Sequence, residues 1–177
     1  SGLKVVRKTW LHAKANGDRD MRYSENYEIN LVEYGCLKLN FNDNLTINFA
    51  DGVKLDASVL NDILFRVNAP ATLTINGKGI VKTGLYVASA NAGATVIVND
   101  GDFTSKTTCF QANGGKVYVN DGSFQSTDAP TYLLNHIDSQ KNNGLIEVKG
   151  GSFKGFNPAE SHSENPVMNF VADGYVS

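Results

Sequence analysis

Two aspartates, Asp100 and Asp121, occupy the same setting 21 residues apart, each inside Asn-Asp-Gly after a short apolar triplet. Glycoside hydrolysis uses such a pair: two carboxyls facing one cleft, roughly 5 to 9.5 Å apart. If the two segments stack as neighbouring strands, equivalent positions lie about 4.8 Å apart, which suits the chemistry. The setting argues otherwise, because Asp before Gly is favoured in tight turns for backbone reasons alone. His136 and Asp138 are neighbours with no evident third partner, and Lys149 beside Glu147 is a thin match for the base and metal-binding acids of a lyase. His12, His136 and His162 are far apart, and Cys36 and Cys109 show no metal or redox spacing. The expectation is no catalytic residues, no metal, no cofactor, and two buried free thiols. Residues suited to binding remain: outward-facing Tyr118, and Tyr132 with His136 and Asp138 in an adjoining loop, offering aromatic faces for stacking and polar groups for hydrogen bonds.

The elements that must position these side chains repeat. Leu73-Thr-Ile-Asn76, Val96-Ile-Val-Asn99, Val117-Tyr-Val-Asn120 and Ile146-Glu-Val-Lys149 share one pattern, and Leu45-Thr-Ile-Asn48 is an earlier, looser copy. The steps between them are 28, 23, 21 and 29 residues, which is solenoid spacing with loops of variable length. Alternation within each triplet puts two apolar residues on one face and leaves Thr74, Ile97, Tyr118 and Glu147 on the other. A glycine-rich corner follows, and then Ile80, Phe103, Phe124 and Phe153, which are expected to point inward and align as a core column. A third apolar segment completes each turn: Ile63 to Val67, Leu85 to Ser89, Cys109 to Ala112, Tyr132 to Asn135 and Val167 to Val171. Three short strands per turn, rich in Val, Ile, Thr and Phe with Gly, Asn and Asp at the corners, describe a parallel β-helix.

Asn48, Asn76, Asn99 and Asn120 fall at one corner of successive coils. Asn can hydrogen-bond across neighbouring turns, so the expectation is a structural side-chain ladder that ends where Lys149 takes the position. Residues 1–35 do not follow the repeat and read as an N-terminal cap or connecting segment, with residues 36–177 as one β-helix domain. Insertions between Phe124 and Ile146 and between Phe153 and Val167 are the loops where binding residues could sit.

Composition excludes several classes. With 16 Lys and Arg against 18 Asp and Glu, the formal charge is −2, so the basic footprint of a nucleic-acid binder is missing. No apolar run approaches the roughly 20 residues that cross a bilayer as a helix, so no membrane insertion is expected. The start, Ser1-Gly2-Leu3, carries no signal-peptide apolar region and reads as a tag remnant or a processed end.

The segments Asn44 to Gly52 and Ala71 to Gly79, with the repeated Gly-x-Phe corners, resemble the pectate-lyase-like right-handed β-helix repeats of gut-bacterial surface proteins and their phages. The stretch Gly150 to Ala159, followed by Asn169 to Tyr175, is similar to a terminal coil of phage fibre or tail-associated proteins. This resemblance implies an all-β, single-stranded, right-handed parallel β-helix of about five coils. It further implies a non-enzymatic adhesive or structural module of a virion or cell surface. Such a module is often a homo-trimer, contacts host glycan or other virion proteins, and continues past the Tyr175 region. A polysaccharide hydrolase or lyase of the same fold and a purely architectural assembly component are the alternatives. The Gly-His-Gly and Arg-Ile-Lys stretches of polygalacturonases do not occur in the chain.

Overall fold

The computed structural model describes residues 37–39, 44–140, 142–164 and 166–176. The expectations for residues 1–35, including the cap with its Trp10 and the strand at Tyr27 to Leu31, and for Cys36 lie outside the described residues.

Among the described residues, fifteen short strands follow one another in a fixed rotation. They are β1 (Leu37–Leu39), β2 (Leu45–Asn48), β3 (Lys54–Ala57), β4 (Ile63–Val67), β5 (Thr72–Asn76), β6 (Ile80–Thr83), β7 (Tyr86–Asn91) and β8 (Thr95–Val98). Then come β9 (Asp102–Ser105), β10 (Thr108–Asn113), β11 (Lys116–Val119), β12 (Ser123–Ser126), β13 (Leu134–His136), β14 (Leu145–Val148) and β15 (Ser152–Phe153). Every third strand pairs in parallel with the next, giving three five-stranded sheets: β1-β4-β7-β10-β13, β2-β5-β8-β11-β14 and β3-β6-β9-β12-β15. We call these the β1, β2 and β3 sheets. The chain is therefore an all-β parallel solenoid, and the described residues form four complete coils from β2 to β13 with further strands on either side.

Alternation explains why these residues form strands of this kind. In the β2 sheet, Leu73, Ile75, Val96, Val98, Val117 and Val119 are buried, while the residues between them face outward. Register aligns Leu73 with Val96, Val96 with Val117 and Val117 with Ile146, so each inward side chain rests on the equivalent one in the next coil. From the β1 sheet, Phe65, Val67, Ala88, Ala90, Phe110 and Ala112 complete the interior. Such self-stacking lets one apolar position per coil generate a continuous core.

The aromatic column forms in three coils. The rings of Phe103 and Phe124 stack at 5.4 Å and 10°, those of Phe124 and Phe153 at 4.8 Å and 12°, and Phe110 meets Phe103 and Phe124 edge-on at 5.1 and 6.0 Å. Ile80 is not part of it. Val81 pairs with Phe103 and is 1% exposed, whereas Ile80 pairs with Asp102 on the outer side. The corner after Asn76 holds one residue more than the corner after Asn99, and a one-residue slip moves a strand's side chains to the opposite face. The corners of the later coils depend on Gly101 and Gly122 at φ 134° and 130°, a region closed to most L side chains.

The last expected strand also differs. Val167 to Val171 does not join the β1 sheet; Val171 instead makes a parallel bridge to Val148 in the β2 sheet, and Met168 bridges Ser161. Val148 donates to Phe170 O at 2.8 Å and accepts from Ala172 N at 2.9 Å, so this segment covers the end of β14. The segment thus satisfies the backbone groups of this strand end locally.

Candidate functional surface

The outer side of the β2 sheet carries three parallel columns. Asn44 leads the first, in which Thr72, Thr95, Lys116 and Leu145 align; the central one runs Thr46, Thr74, Ile97, Tyr118 and Glu147. The third is the asparagine ladder. Asn76 Nδ2 donates to Asn48 Oδ1 at 2.8 Å, Asn99 Nδ2 to Asn76 Oδ1 at 2.7 Å, and Asn120 Nδ2 to Asn99 Oδ1 at 2.6 Å. Asn76 and Asn99 therefore both donate and accept along the axis, between Asn48, which accepts, and Asn120, which donates. Lys149 follows it and turns to Glu147, with Nζ 3.3 Å from Oε1. The Asn120 Oδ1 has no donor among the described residues.

Tyr118 stands on this face two residues from Asn120, half-buried between Ile97 and Glu147, with Leu145 partly exposed in the adjoining column. In the central column the threonines of the first coils give way to Ile97 and Tyr118, with Glu147 as the next neighbour. Residues i and i+2 on one side of a strand lie about 6.8 Å apart, so the Tyr118 ring and the open Asn120 amide address one patch.

The other sequence-derived candidates do not gather there. Tyr132 belongs to a short 3-10 helix, Pro130–Tyr132, in the corner between β12 and β13, and is 46% exposed. Asp138 opens another, Asp138–Gln140, after β13 and is exposed. His136 is a correction as a surface group: it is 1% exposed at the end of β13, in the inward column with Ala112 and Ala90. Neither ring nitrogen has a hydrogen-bond partner among the described residues. Its backbone N–H donates to the buried Glu164 carboxylate, Oε1, at 2.8 Å. His136 and Asp138, adjacent but for Ile137, thus point into different surroundings, and the tyrosines stand in different elements.

The corner acids are engaged locally. Asp100 Oδ1 accepts from Gly101 N and Asp121 Oδ1 from Gly122 N, both at 2.8 Å. Among the described residues no group of three or more His, Cys, Asp and Glu side chains is placed to hold a metal ion. Cys109 is free and fully buried, and burial pushes its thiol from an ordinary 9.0 up to about 12, against smaller lowering effects of its contacts with Ser105 and the Gln125 backbone.

Two polar features were missed in the sequence. Asn91 Nδ2 donates to Asn68 Oδ1 at 2.6 Å and Asn113 Nδ2 to Asn91 Oδ1 at 3.0 Å, a second amide ladder at the exit from the β1 sheet. Its steps of 23 and 22 residues match the period of the first, so the signal was present in Val67-Asn68, Ala90-Asn91 and Ala112-Asn113. Beside it, Ser89 Oγ donates to Gln111 Oε1 at 3.0 Å, both residues buried. Compared with models of protein families, with curated proteins and with solved structures, the chain matches none.

Proposed function

We propose that this protein is a non-enzymatic β-helix module, of the pectate-lyase-like kind found in phage fibre and tail proteins or bacterial surface proteins, whose β2 sheet contacts host glycan. The observation that carries this reading is the patch formed by Tyr118 and Asn120: an aromatic ring and an amide acceptor without a donor among the described residues share one outward face. A sugar ring offers apolar C–H groups to the first and hydroxyl donors to the second, the pairing that polar recognition on an aromatic platform requires. The scaffold beneath is pre-ordered by the inward Val117 and Val119, so little conformational freedom is lost on contact. A binding role is favoured over turnover because Asp100 and Asp121 each hold the N–H of their own turn.

Tyr118→Ala and Asn120→Ala, tested on a glycan array, are expected to lose about tenfold or more in affinity, the scale of one stacked ring or one polar contact. The thermal midpoint of Tyr118→Ala should stay near that of the wild type, since the side chain lies outside the core. A wild-type protein that binds no glycan on the array refutes the reading.

A further inference from the structure

Asparagine followed by glycine occurs four times, at Asn16, Asn76, Asn113 and Asn143. At such a step the backbone nitrogen of the glycine can attack the asparagine Cγ, because the glycine carries no side chain to obstruct it. A C–N bond forms, the bond from Cγ to Nδ2 breaks, and ammonia leaves with the proton of the attacking nitrogen. Water then opens the resulting succinimide at either carbonyl, giving aspartate or an isoaspartate whose main chain runs through the former side chain. The reaction needs water and no enzyme, so its rate is set by how freely the amide turns onto the next nitrogen.

The fold treats the three steps within the described residues unequally. Asn76 Nδ2 donates to Asn48 Oδ1 at 2.8 Å, its Oδ1 accepts from Asn99 Nδ2 at 2.7 Å, and its backbone oxygen accepts from Phe49 N at 2.8 Å. Asn113 Nδ2 donates to Asn91 Oδ1 at 3.0 Å, and the following Gly114 is buried and bridged to Asn91. Asn143 is exposed, in the turn between the 3-10 helix Asp138–Gln140 and β14. Its backbone N–H donates to Gln140 O at 2.8 Å, but neither its side-chain amide nor the Gly144 N–H has a hydrogen-bond partner among the described residues. We propose that Asn143 is a site of spontaneous deamidation, and that the two amide ladders spare the same dipeptide at Asn76 and Asn113. An amide held along the axis must break its bonds before it can turn, which slows the attack about tenfold or more.

The product has a defined place to act. A Cβ placed on Gly144 would lie 2.5 Å from His136 Nε2 and 3.1 Å from Gly115 O, so the backbone just past Asn143 is packed without slack. Leu145 N donates to Gly115 O at 3.0 Å, the bond that opens the pairing of β14 with β11. Isoaspartate at position 143 lengthens the main chain by one methylene immediately before these contacts and adds a carboxylate. It thereby loosens the start of β14 over the buried His136, whereas aspartate leaves the chain length unchanged. None of this depends on glycan contact at Tyr118.

The test incubates the folded protein at mildly alkaline pH and follows its tryptic peptides by mass spectrometry. Cleavage after Lys and Arg puts Asn76, Asn113 and Asn143 in separate peptides, residues 67–78, 107–116 and 142–149. Fragmentation separates Asn143 from Asn142, and an isoaspartyl methyltransferase reports the isomer. The expected result is conversion at Asn143 about tenfold or more faster than at Asn76 or Asn113, with the three rates drawing together in urea. The isolated isoaspartyl form should show faster amide exchange in β14 than the fresh protein. Asn143→Gln should remove the fast conversion and leave the thermal midpoint unchanged. Asn48→Ala, which takes away the acceptor of the Asn76 amide, should speed conversion at Asn76 several-fold. Native conversion at Asn76 or Asn113 as fast as at Asn143, or an Asn143 that converts only in urea, overturns the proposal. An unchanged rate at Asn76 in Asn48→Ala overturns the protective role of the ladder.

Discussion

Removing one ring from the aromatic column should cost more in the middle than at the end. Phe124 is 1% exposed and has a ring stacked on each side at 5.4 and 4.8 Å, with Phe110 edge-on at 6.0 Å. Phe124→Ala therefore loses a fully buried side chain, about 2 to 3 kcal/mol by transfer, and leaves an enclosed void between two coils. With the lost ring contacts, the total comes to about 4 kcal/mol, within the range for buried Phe truncations. Phe153 is only partly buried, is stacked on one side, and borders an open groove, so water fills the space it vacates. Phe153→Ala should cost about 2 kcal/mol on the same reasoning. Urea unfolding followed by circular dichroism would separate the two: with a slope of about 2 kcal/mol/M, a difference of about 2 kcal/mol displaces the midpoints by about 1 M. Hydrogen exchange adds a spatial readout, because contacts in a solenoid are with neighbouring coils. Phe153→Ala should loosen β14 and β15 and leave β5 to β9 protected. Equal midpoints for the two variants, or greater damage from Phe153→Ala, would refute the view that the column works by two-sided enclosure.

Two further outcomes are expected from the buried polar groups. In a Cys36→Ala background, Cys109 should resist a thiol-specific disulfide reagent in the native state at pH 8 and react fully in urea, since it is buried and its pKa is raised to about 12. A thiol held neutral by the fold contributes stability that is present below its ordinary value of 9.0 and is lost as pH rises toward about 12. Denaturation midpoints should show that alkaline decline, Cys109→Ala should lessen it, and rapid native labelling would contradict the assignment. His136→Leu removes two buried nitrogens that lack partners among the described residues, so its thermal midpoint should equal or exceed that of the wild type. A loss of more than about 1 kcal/mol would show that the imidazole has a structural partner, and altered glycan binding would restore it as a contact residue.

How much could be read in advance follows from what repeats. The strand triplets, the amide series from Asn48 to Asn120 and the Phe103, Phe124 and Phe153 spacing were legible because a coil places identical residues one above another, so period in sequence is adjacency in space. The misreading of Ile80 came from corner length. Asn76 to Ile80 and Asn99 to Phe103 are equal in count, but the earlier corner turns with one more residue and puts Val81 in the column. The second ladder, through Asn68, Asn91 and Asn113, went unread because each asparagine follows a segment less regular than the triplets.

For this chain, alternation of apolar residues and the 21 to 29 residue period suffice by themselves to dictate a parallel solenoid, since strands that repeat along the sequence bury their apolar faces only by stacking. Function-bearing detail depended on the third dimension. Burial of His136 beside solvent-exposed Asp138, capture of Asp100 and Asp121 by their own turns, and the meeting of Tyr118 with the open end of the amide ladder all depend on where each corner bends. So does the closing of two of the three sheet ends by the segment after Phe153. A non-repeating segment has no neighbouring copy from which its path can be read, and only its packing against the last coil decides which backbone groups remain free.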